Sequence, residues 1–345
     1  MFLVSSTTPQ GVLESQVVKI ANYLSIEYSF NVKIVFVDTI IDNLIVNNGV
    51  KVCCLGKDIS IKEIQNSKVY IRRFDIYMRY FLKLKYFKNT ITYDFRALVF
   101  AESFYRNKKY SNSAVIFICE LICYLTADYI STVSYSLRKK MFSFFLFKRK
   151  VYVFPCMVIQ KEFKSSAVNK DDGQLNFVYM GGLSKWQKFD LTLSLFSIIN
   201  SKIDNDCKLT IITKDISEAR SILNEKNMEA NVISLSNDEV MKELSNHHFG
   251  FLLRDNVLIN NVASPIKYFE YLIADVIPIM SIGIGDYSTE AKQNDIALVL
   301  NNNKEINELE IIRLINDKLI YKRTTTYLES YNIKEKLKNH PLVVR

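Results

Sequence analysis

The stretch FGFLLRDNVLINNVASPIKYFEYLIADVIPIM, residues 249–280, contains the most informative pattern in this sequence. Its two ends, Phe249 to Leu253 and Val276 to Met280, are short apolar runs with the length and composition of buried strands. Between them, Ser264 is a favoured helix cap and Pro265 suits the first helical position, so we expect a helix to begin there. The stretch therefore predicts a strand, a helix and a second strand of a parallel sheet.

The start of the predicted helix has the properties of an anion site. Free backbone N–H groups and the helix dipole favour a pyrophosphate at this point. Lys267 lies in the first turn, where a positive charge is unfavourable unless an anion neutralises it. Glu270 lies near the same helix face and is able to accept hydrogen bonds from paired hydroxyls such as those of a ribose. The alternative interpretation is an exposed ion pair between Lys267 and Glu270.

The same alternation of strands and helices extends over both halves of the chain. A length of 345 residues exceeds the size that one hydrophobic core usually supports, which predicts two domains. The polar, turn-rich sequence KEFKSSAVNKDDG, residues 161–173, indicates a linker near 160–174. We therefore predict an α/β protein with doubly wound, Rossmann-like domains at 1–165 and 175–325. A helical segment at 326–345 is expected to pack back toward the first domain.

Composition and charge exclude several classes of protein. Hydrophobic residues make up 49% of the chain and aromatic residues 12%, so it is not a disordered protein. Residues 1–170 have a net charge of +13 and the remainder −4, within a total of +9. The six cysteines show no C-x-x-C spacing and the three histidines no ligand cluster, so we expect reduced cytoplasmic thiols and no metal or other cofactor.

Two segments bear on the membrane. The amino terminus MFLVSSTTPQ lacks the features of a signal peptide, which favours a cytoplasmic location. The longest apolar stretch, Ala114 to Ala127, is interrupted by Glu120 and is shorter than the roughly 20 residues that cross a bilayer. We expect it to form a buried helix.

The stretches FVYMGGLSKWQKFD, residues 177–190, and 249–280 resemble the donor half of bacterial GT-B glycosyltransferases related to family 4. In the first half, YDFRALVFAE at 93–102, ADYISTVS at 127–134, VFPC at 153–156 and Gly11 with LESQ agree more loosely. The resemblance implies two Rossmann-like domains that face each other across a cleft. It also implies transfer of a sugar from a nucleotide carrier to a lipid-linked glycan of the cell surface, such as O-antigen (the glycan of lipopolysaccharide) or capsule, with retention of anomeric configuration.

The resemblance assigns donor-binding roles to Lys267 and Glu270, but the sequence departs from the family elsewhere. The family's first glutamate, eight positions before Glu270, is replaced by Val262, and the neighbouring Asn260 and Asn261 are alternatives for contacting the sugar. The family's phosphate-binding arginine, after the first glycine of the donor half, is missing. Other residues are candidates for the remaining phosphate contacts, since glycines permit close backbone approach and cations pair with phosphate: Gly181, Gly182, Lys185, Lys188, Arg254 and Ser264.

The acceptor half contains few groups for catalysis. Asp94 and Glu102 are the carboxylates that the resemblance places nearest the reacting sugar, with Arg96 and Gly11 on the acceptor side. The alternative for Asp94 is a salt-bridged structural carboxylate. The first half has no histidine. Retaining members of the family are thought to use the donor phosphate to receive the acceptor proton, which makes a strong protein base unnecessary.

Basic and aromatic residues are interleaved in two segments of the first half, which predicts peripheral contact with the anionic inner face of the cytoplasmic membrane. The alternative is that the aromatic side chains fill the core while the basic ones are solvated. The two segments contain these residues: Arg72, Arg73, Phe74, Tyr77, Arg79, Phe81, Lys83, Lys85, Phe87, Lys88, Arg138, Lys139, Lys140, Phe142, Phe144, Phe145, Lys148, Arg149 and Lys150.

Three other functions remain open from the sequence. A sugar-nucleotide epimerase or hydrolase and a non-catalytic sugar-nucleotide-binding protein would share the same donor site. A nucleic-acid partner is not expected, because the chain contains no recognised nucleic-acid-binding motif.

Overall fold

The computed structural model of the protein describes residues 1–41, 44–157, 173–183, 187–203, 206–301, 308–317 and 319–343. The chain divides into two compact units. The first comprises Met1–Ile159, Val262–Ser264 and Ile333–Arg345, and the second comprises Gln160–Asn261 and Pro265–Asn332. Most of the predicted linker, including 161–172, lies outside the described residues.

The described residues contain thirteen strands. They are β1 (Phe2–Val4), β2 (Val32–Phe36), β3 (Val50–Cys54), β4 (Lys68–Ile71), β5 (Thr90–Phe95), β6 (Tyr129–Thr132), β7 (Val151–Val153), β8 (Gln174–Met180), β9 (Asp206–Ile212), β10 (Asn231–Ile233), β11 (Phe249–Leu252), β12 (Ile277–Ser281) and β13 (Leu298–Leu300). Every strand pair is parallel.

Helices connect these strands, as parallel pairing requires. They are α1 (Gln10–Leu13), α2 (Lys19–Tyr28), α3 (Phe74–Tyr86), α4 (Val99–Asn107), α5 (Tyr110–Thr126), α6 (Tyr135–Phe145), α7 (Phe189–Lys202), α8 (Ile216–Glu225), α9 (Asn237–Leu244), α10 (Leu258–Asn261), α11 (Ile266–Ile273), α12 (Tyr287–Gln293), α13 (Glu308–Asn316), α14 (Ile320–Ser330) and α15 (Ile333–Lys338). A π-helix over Glu14–Val18 joins α1 to α2, and a short 3₁₀ turn covers Ile61–Glu63.

The first unit has a seven-stranded sheet in the order β3-β2-β1-β4-β5-β6-β7. The second has a six-stranded sheet in the order β10-β9-β8-β11-β12-β13. In each sheet the strand order reverses once, between β1 and β4 in the first and between β8 and β11 in the second. Ligands of such sheets bind beyond the carboxyl ends of the strands at this reversal. The topology therefore marks one crevice in each unit.

The central strands of the second unit are buried on both faces, since every residue of β11 and β12 is buried. Phe177, Phe249 and Phe251 are buried and stacked on adjacent strands, with ring centroids 5.3 and 5.9 Å apart. On β11, Gly250 leaves space for the ring of Tyr271, because an added Cβ would lie only 2.7 Å from it. Tyr271 in turn donates a hydrogen bond to the Phe251 carbonyl at 3.2 Å. These contacts hold α11 close against β11.

Three sequence predictions on local structure have clear outcomes. The capping box at Ser236 and Glu239 is confirmed, with both reciprocal hydrogen bonds present at the start of α9. The helix predicted to begin at Pro265 begins at Ile266, with Pro265 in the cap position. The stretch Ala114 to Ala127 is largely helical, but the prediction that it is buried is wrong, because Val115 is 62% exposed and Ile118 55%.

Candidate functional site: two cationic crevices

The crevice of the second unit is formed by residues that directly follow β8 and β11. Gly181 comes after β8, and Arg254 follows shortly after β11. The backbone N–H of Arg254 donates to Ser281 Oγ at 2.9 Å, which fixes the chain where it leaves the sheet. The sheet therefore brings together two positions that are 73 residues apart in sequence.

Lys267 lies directly against Gly181. Its ammonium donates a hydrogen bond to Gln187 Oε1 at 2.6 Å. A Cβ added to Gly181 would overlap Lys267 Nζ and Gln187 Oε1, and the φ of Gly181 is +143°. The backbone conformation therefore favours glycine at this position, and a larger residue would also displace the side-chain ends of Lys267 and Gln187.

The charges of this crevice are mutually unfavourable without an anion. Burial, with a contribution from Arg254, lowers the pKa of Lys267 to about 7, and Glu270 partly opposes the shift. Burial also lowers the pKa of Arg254. Two cations thus lie close together in a partly desolvated place. A bound anion would stabilise the charged form of both.

The other predicted donor residues have different positions. Gly182 accepts a hydrogen bond from the Tyr179 hydroxyl at 2.6 Å through its carbonyl. Lys188 forms an ion pair with Asp255 at 2.6 Å and begins α7 with a positive φ of 53°. Lys185 lies outside the described residues. Ser264 is grouped with the first unit, where its Oγ accepts a hydrogen bond from the Cys156 amide at 2.9 Å.

In the first unit, Asp94 is a fully buried residue of β5. Its Oδ2 lies 2.6 Å from Arg96 Nε and 3.6 Å from Arg72 Nε. Arg96 also directs Nη1 toward the Phe154 carbonyl at 3.3 Å. The environment of Asp94 is that of the salt-bridged carboxylate that we considered as the alternative to a catalytic role. Its direct participation in transfer stays a prediction.

Glu102 and Gly11 have surroundings that differ from those of Asp94. Glu102 is half-buried on α4, where burial raises its pKa, and its charge acts on Glu120. Glu120 is fully buried and accepts hydrogen bonds from the amides of Val99 and Phe100 at 3.0 and 3.1 Å, so it caps α4. Gly11 is exposed, and a Cβ there would meet no atom within 4 Å among the described neighbours.

Sequence reasoning missed two contributors to these crevices. Gln187, the hydrogen-bond partner of Lys267, belongs to a short turn that has no pattern of its own. The first unit also contains a histidine, contrary to what its amino-terminal sequence indicated, because His340 belongs to the returning segment Ile333–Arg345. His340 Nε2 lies 3.1 Å from Ser131 Oγ. Such long-range contacts follow from tertiary structure alone.

The basic and aromatic segments are only partly available to a membrane. Tyr77 and Phe145 are buried in the core, Lys85 is paired with Asp128, and Arg149 donates to backbone carbonyls. Within these segments Leu82, Tyr86 and Phe144 are exposed. Further exposed apolar residues lie on α5 and at the end of α6, a set that we call the α5–α6 face: Tyr110, Val115, Ile118, Leu125, Leu146 and Phe147. No helix in the described ranges has the length and apolar character needed to span a bilayer.

Comparison with known proteins shows the fold. No protein-family model and no curated protein sequence matches the chain. Among solved structures, it is similar to "WaaG, a glycosyltransferase involved in lipopolysaccharide biosynthesis", with a TM-score of 0.67, 10% identity and 99% of each chain covered.

Two further solved structures have the same architecture. "Trehalose-6-phosphate from E. coli bound with UDP-2-fluoro glucose" has a TM-score of 0.65 at 10% identity over 96% of this chain and 95% of that one. Sucrose-phosphate synthase from Thermosynechococcus elongatus has a TM-score of 0.64 at 11% identity over 94% and 92%. The chain therefore has the GT-B fold, with two Rossmann-like domains built on parallel sheets.

Proposed function

We propose that the chain is a glycosyltransferase that moves a sugar from a nucleotide-sugar donor to a lipid-linked surface glycan. The single observation that supports this most is the crevice of the second unit, where Lys267 and Arg254 lie close together beside Gly181. A diphosphate supplies the negative charge that this arrangement lacks. One of the similar structures contains UDP-2-fluoro glucose, which fits a nucleotide-sugar donor for this chain as well.

The donor would use the second unit in three ways. Its diphosphate would lie near the amino end of α11, where the first-turn N–H groups and Lys267 add positive charge. Arg254 would offer paired N–H donors to a phosphate oxygen. Glu270, one turn after Lys267, would accept hydrogen bonds from the ribose hydroxyls. We propose that these groups stabilise the leaving diphosphate without a metal ion, as oriented positive charge does in other transferases.

Retention of configuration is the stereochemical outcome that we propose. Asp94, the carboxylate predicted nearest the reacting sugar, is buried with its Oδ2 2.6 Å from Arg96 Nε and 3.6 Å from Arg72 Nε, so these guanidiniums already engage that oxygen. Transfer of the acceptor proton to the donor phosphate would remove the need for a protein base. The O-antigen or capsule type of product rests on the sequence resemblance, and the similarity to a lipopolysaccharide glycosyltransferase agrees with it.

Peripheral binding to an anionic membrane is part of the proposal, since a lipid-linked acceptor would lie at that surface. The α5–α6 face presents apolar side chains such as Ile118 and Leu146, which are 55% and 83% exposed. Exposed basic residues occur on neighbouring parts of the same segments, including Arg106, Lys108, Lys109, Lys139, Lys140 and Lys148. Apolar insertion together with basic residues is the composition of an interfacial surface.

The donor site is tested by calorimetry with UDP-, GDP- and dTDP-sugars. For whichever nucleotide-sugar binds, Lys267→Ala should reduce the binding free energy by about 2 to 5 kcal/mol, because the diphosphate loses a partly buried charge partner. Glu270→Gln should weaken it by about 1.5 to 3 kcal/mol through loss of a charge-assisted hydrogen bond. Lys242→Ala removes an exposed lysine of the same unit and should leave affinity unchanged.

Three outcomes of these measurements separate the alternatives. Unchanged affinity in both Lys267→Ala and Glu270→Gln would overturn the donor site. Donor binding with product formation only in the presence of a lipid-linked acceptor supports a transferase. Turnover of the nucleotide-sugar alone indicates an epimerase or hydrolase, and binding with no turnover indicates a sensor.

A further inference from the structure

Gln187 joins two segments of the second unit that flank its crevice. It lies in the connection from β8 to α7, and its Oε1 accepts a hydrogen bond from Lys267 Nζ at 2.6 Å. Lys267 belongs to the first turn of α11, 80 residues further along the chain. An ammonium group only donates hydrogen bonds, so the atom that faces it must be the amide oxygen. This contact therefore fixes both the place of the ammonium and the orientation of the amide.

The amide of Gln187 lies along the two glycines that follow β8. A Cβ added to Gly181 would overlap Oε1, and a Cβ added to Gly182 would lie 3.4 Å from Nε2. The carbonyl end of the amide thus faces Gly181 and Lys267, whereas its NH₂ end faces Gly182. The carboxyl end of β8 is next to the point where the strand order reverses, which is where ligands of such sheets bind. Gln187 therefore lines the crevice with its whole amide group.

The acceptor that Gln187 offers to Lys267 is neutral. A carboxylate in the same place would form an ion pair with the ammonium and cancel its charge, whereas an amide oxygen orients the ammonium and leaves its charge in place. Among the described residues, the charges that act on the pKa of Lys267 are those of Arg254, after β11, and Glu270, on the same helix. The ammonium is therefore held in position by a group that does not compete with an anion for its charge.

Two further carboxylates lie near the crevice and have other positions. Asp255 forms an ion pair with Lys188 at 2.6 Å. Asp215 lies at the start of α8, and its Oδ2 is 3.5 Å from the position that a Cβ would take on Gly182, on the side of Gln187 Nε2. The hydrogen bond that Lys267 donates at 2.6 Å thus goes to the amide of Gln187, although carboxylates are present in the same region.

We propose that Gln187 is a positioning residue of the donor site, which orients the ammonium of Lys267 toward the diphosphate without neutralising its charge. The identity of the ligand as a nucleotide-sugar rests on the proposed function, whereas the effect of Gln187 on Lys267 does not. An amide meets both requirements of this position. A carboxylate would neutralise the ammonium, and an apolar side chain would leave one of its N–H groups without an acceptor.

The first measurement follows the charge of Lys267 in the full chain without any ligand. NMR titration of protein labelled at the lysine side chains gives its pKa, with the Lys267 signal assigned by its loss in Lys267→Arg. Gln187→Glu should raise the pKa of Lys267 by at least about 1, because an adjacent carboxylate favours the ammonium. Gln187→Met should lower this pKa, because it removes an acceptor of the charged form. Gln293→Glu makes the same amide-to-carboxylate change at an exposed residue of α12 and should leave it unchanged.

The second measurement is calorimetry at pH 7.5 with whichever UDP-, GDP- or dTDP-sugar the unchanged protein binds most tightly. Gln187→Glu and Gln187→Met should each weaken binding at least about tenfold, the first by competing for the ammonium and the second by leaving it unoriented. Gln293→Glu should bind as the unchanged protein does. In a Lys267→Ala background, Gln187→Met should cause no further loss, because no ammonium remains to be oriented.

The pattern of results separates a positioning role from a merely structural one. Opposite shifts in the pKa of Lys267, with weaker binding in both variants, support the proposal. An unchanged pKa of Lys267 in the Gln187 variants overturns it, and so does unchanged donor affinity or a further loss from Gln187→Met in the Lys267→Ala background. Either variant alone decides the outcome if the other does not fold. If the unchanged protein binds no nucleotide-sugar, the proposed function fails, and the titration together with calorimetry of inorganic pyrophosphate still decides the role of Gln187.

Discussion

The two units use one strand order and differ in how their crevices are charged. In the second unit, Lys267 and Arg254 lie close together beside Gly181, whose φ of +143° favours glycine. In the first unit, Arg72 and Arg96 are separated by Asp94, which neutralises one of them. The same topology thus places two neighbouring cations in one crevice and a carboxylate between two guanidiniums in the other. The charge of the loops, more than the sheet, decides what each unit is able to bind.

The largest expected effect concerns Asp94. Asp94→Asn removes the carboxylate that two buried guanidiniums share, and breaking a buried pair in this way costs about 3 to 5 kcal/mol of folding free energy. Urea unfolding measures the loss. Asp190→Asn is the control, because Asp190 is 79% exposed where it pairs with Lys226, so its loss should cost less than about 1 kcal/mol.

Asp94→Asn also sharpens the comparison between the units. Among the described residues, the ion-pair partners of Asp94 are Arg72 and Arg96, which belong to the first unit, so the folded variant should bind nucleotide as the unchanged protein does. A weakened nucleotide affinity in folded Asp94→Asn would show that the two crevices are coupled. Equal stability of Asp94→Asn and Asp190→Asn would contradict the structural role of the ion-pair cluster.

An intermediate effect is expected from pH. Without a ligand, burial and Arg254 hold the pKa of Lys267 at about 7, and a bound diphosphate raises it because opposite charge favours the ammonium. Above pH 7 the protein must therefore take up a proton when the donor binds. Affinity for a UDP-sugar should fall as pH rises from 7.5 to 9.5, by up to about tenfold per pH unit.

Lys267→Arg is the matched control for this pH dependence. Its guanidinium stays charged over the whole range, so any remaining affinity should be nearly independent of pH. Calorimetry in buffers of different ionisation enthalpy would also detect the proton uptake directly. A flat profile in the unchanged protein would show that Lys267 is charged before the donor binds.

The smallest expected effect per residue concerns the membrane. The first unit carries the excess positive charge, and each basic residue near an anionic surface contributes on the order of 1 kcal/mol. The protein should therefore sediment with phosphatidylserine vesicles at low salt. Ile118→Asp, on the α5–α6 face, should leave the protein in the supernatant. Leu309→Asp changes a residue of the second unit that is 74% exposed, and this variant should still sediment with the vesicles. Equal retention of both variants would contradict the proposed face.

Much of the fold could be predicted because local signals and burial agree. The strand at Lys68–Ile71 and the helix after the capping box of Ser236 follow directly from apolar patterns and caps. The exposed face of α5 could not be predicted, because an apolar helix surface has the same sequence whether it contacts a core or a membrane. Its outward face is apparent only once α3 and α4 are seen to cover the other side.

The residues of the candidate sites likewise divide into those that the sequence could predict and those whose contacts depend on tertiary structure. Lys267 could be found from its place after a helix start, since a lysine there is unfavourable without an anion. The contacts of Arg72 with Gln16 and Asp94 could not, because they join residues 56 and 22 positions away along the chain. For Asp94, the sequence gives a carboxylate at a strand end, and only tertiary packing shows that two arginines enclose it.

The composition of the first unit has a consequence for synthesis of the chain. Met1–Ile159 leaves the ribosome before the second unit, but Ile333–Arg345, with the buried ring of His340, is made after it. The second unit lies almost entirely between these segments in sequence, so it is able to complete its folding while the first still lacks a part. The unit that begins first during translation is therefore the one that finishes last, and until then its uncovered apolar surface depends on protection from aggregation.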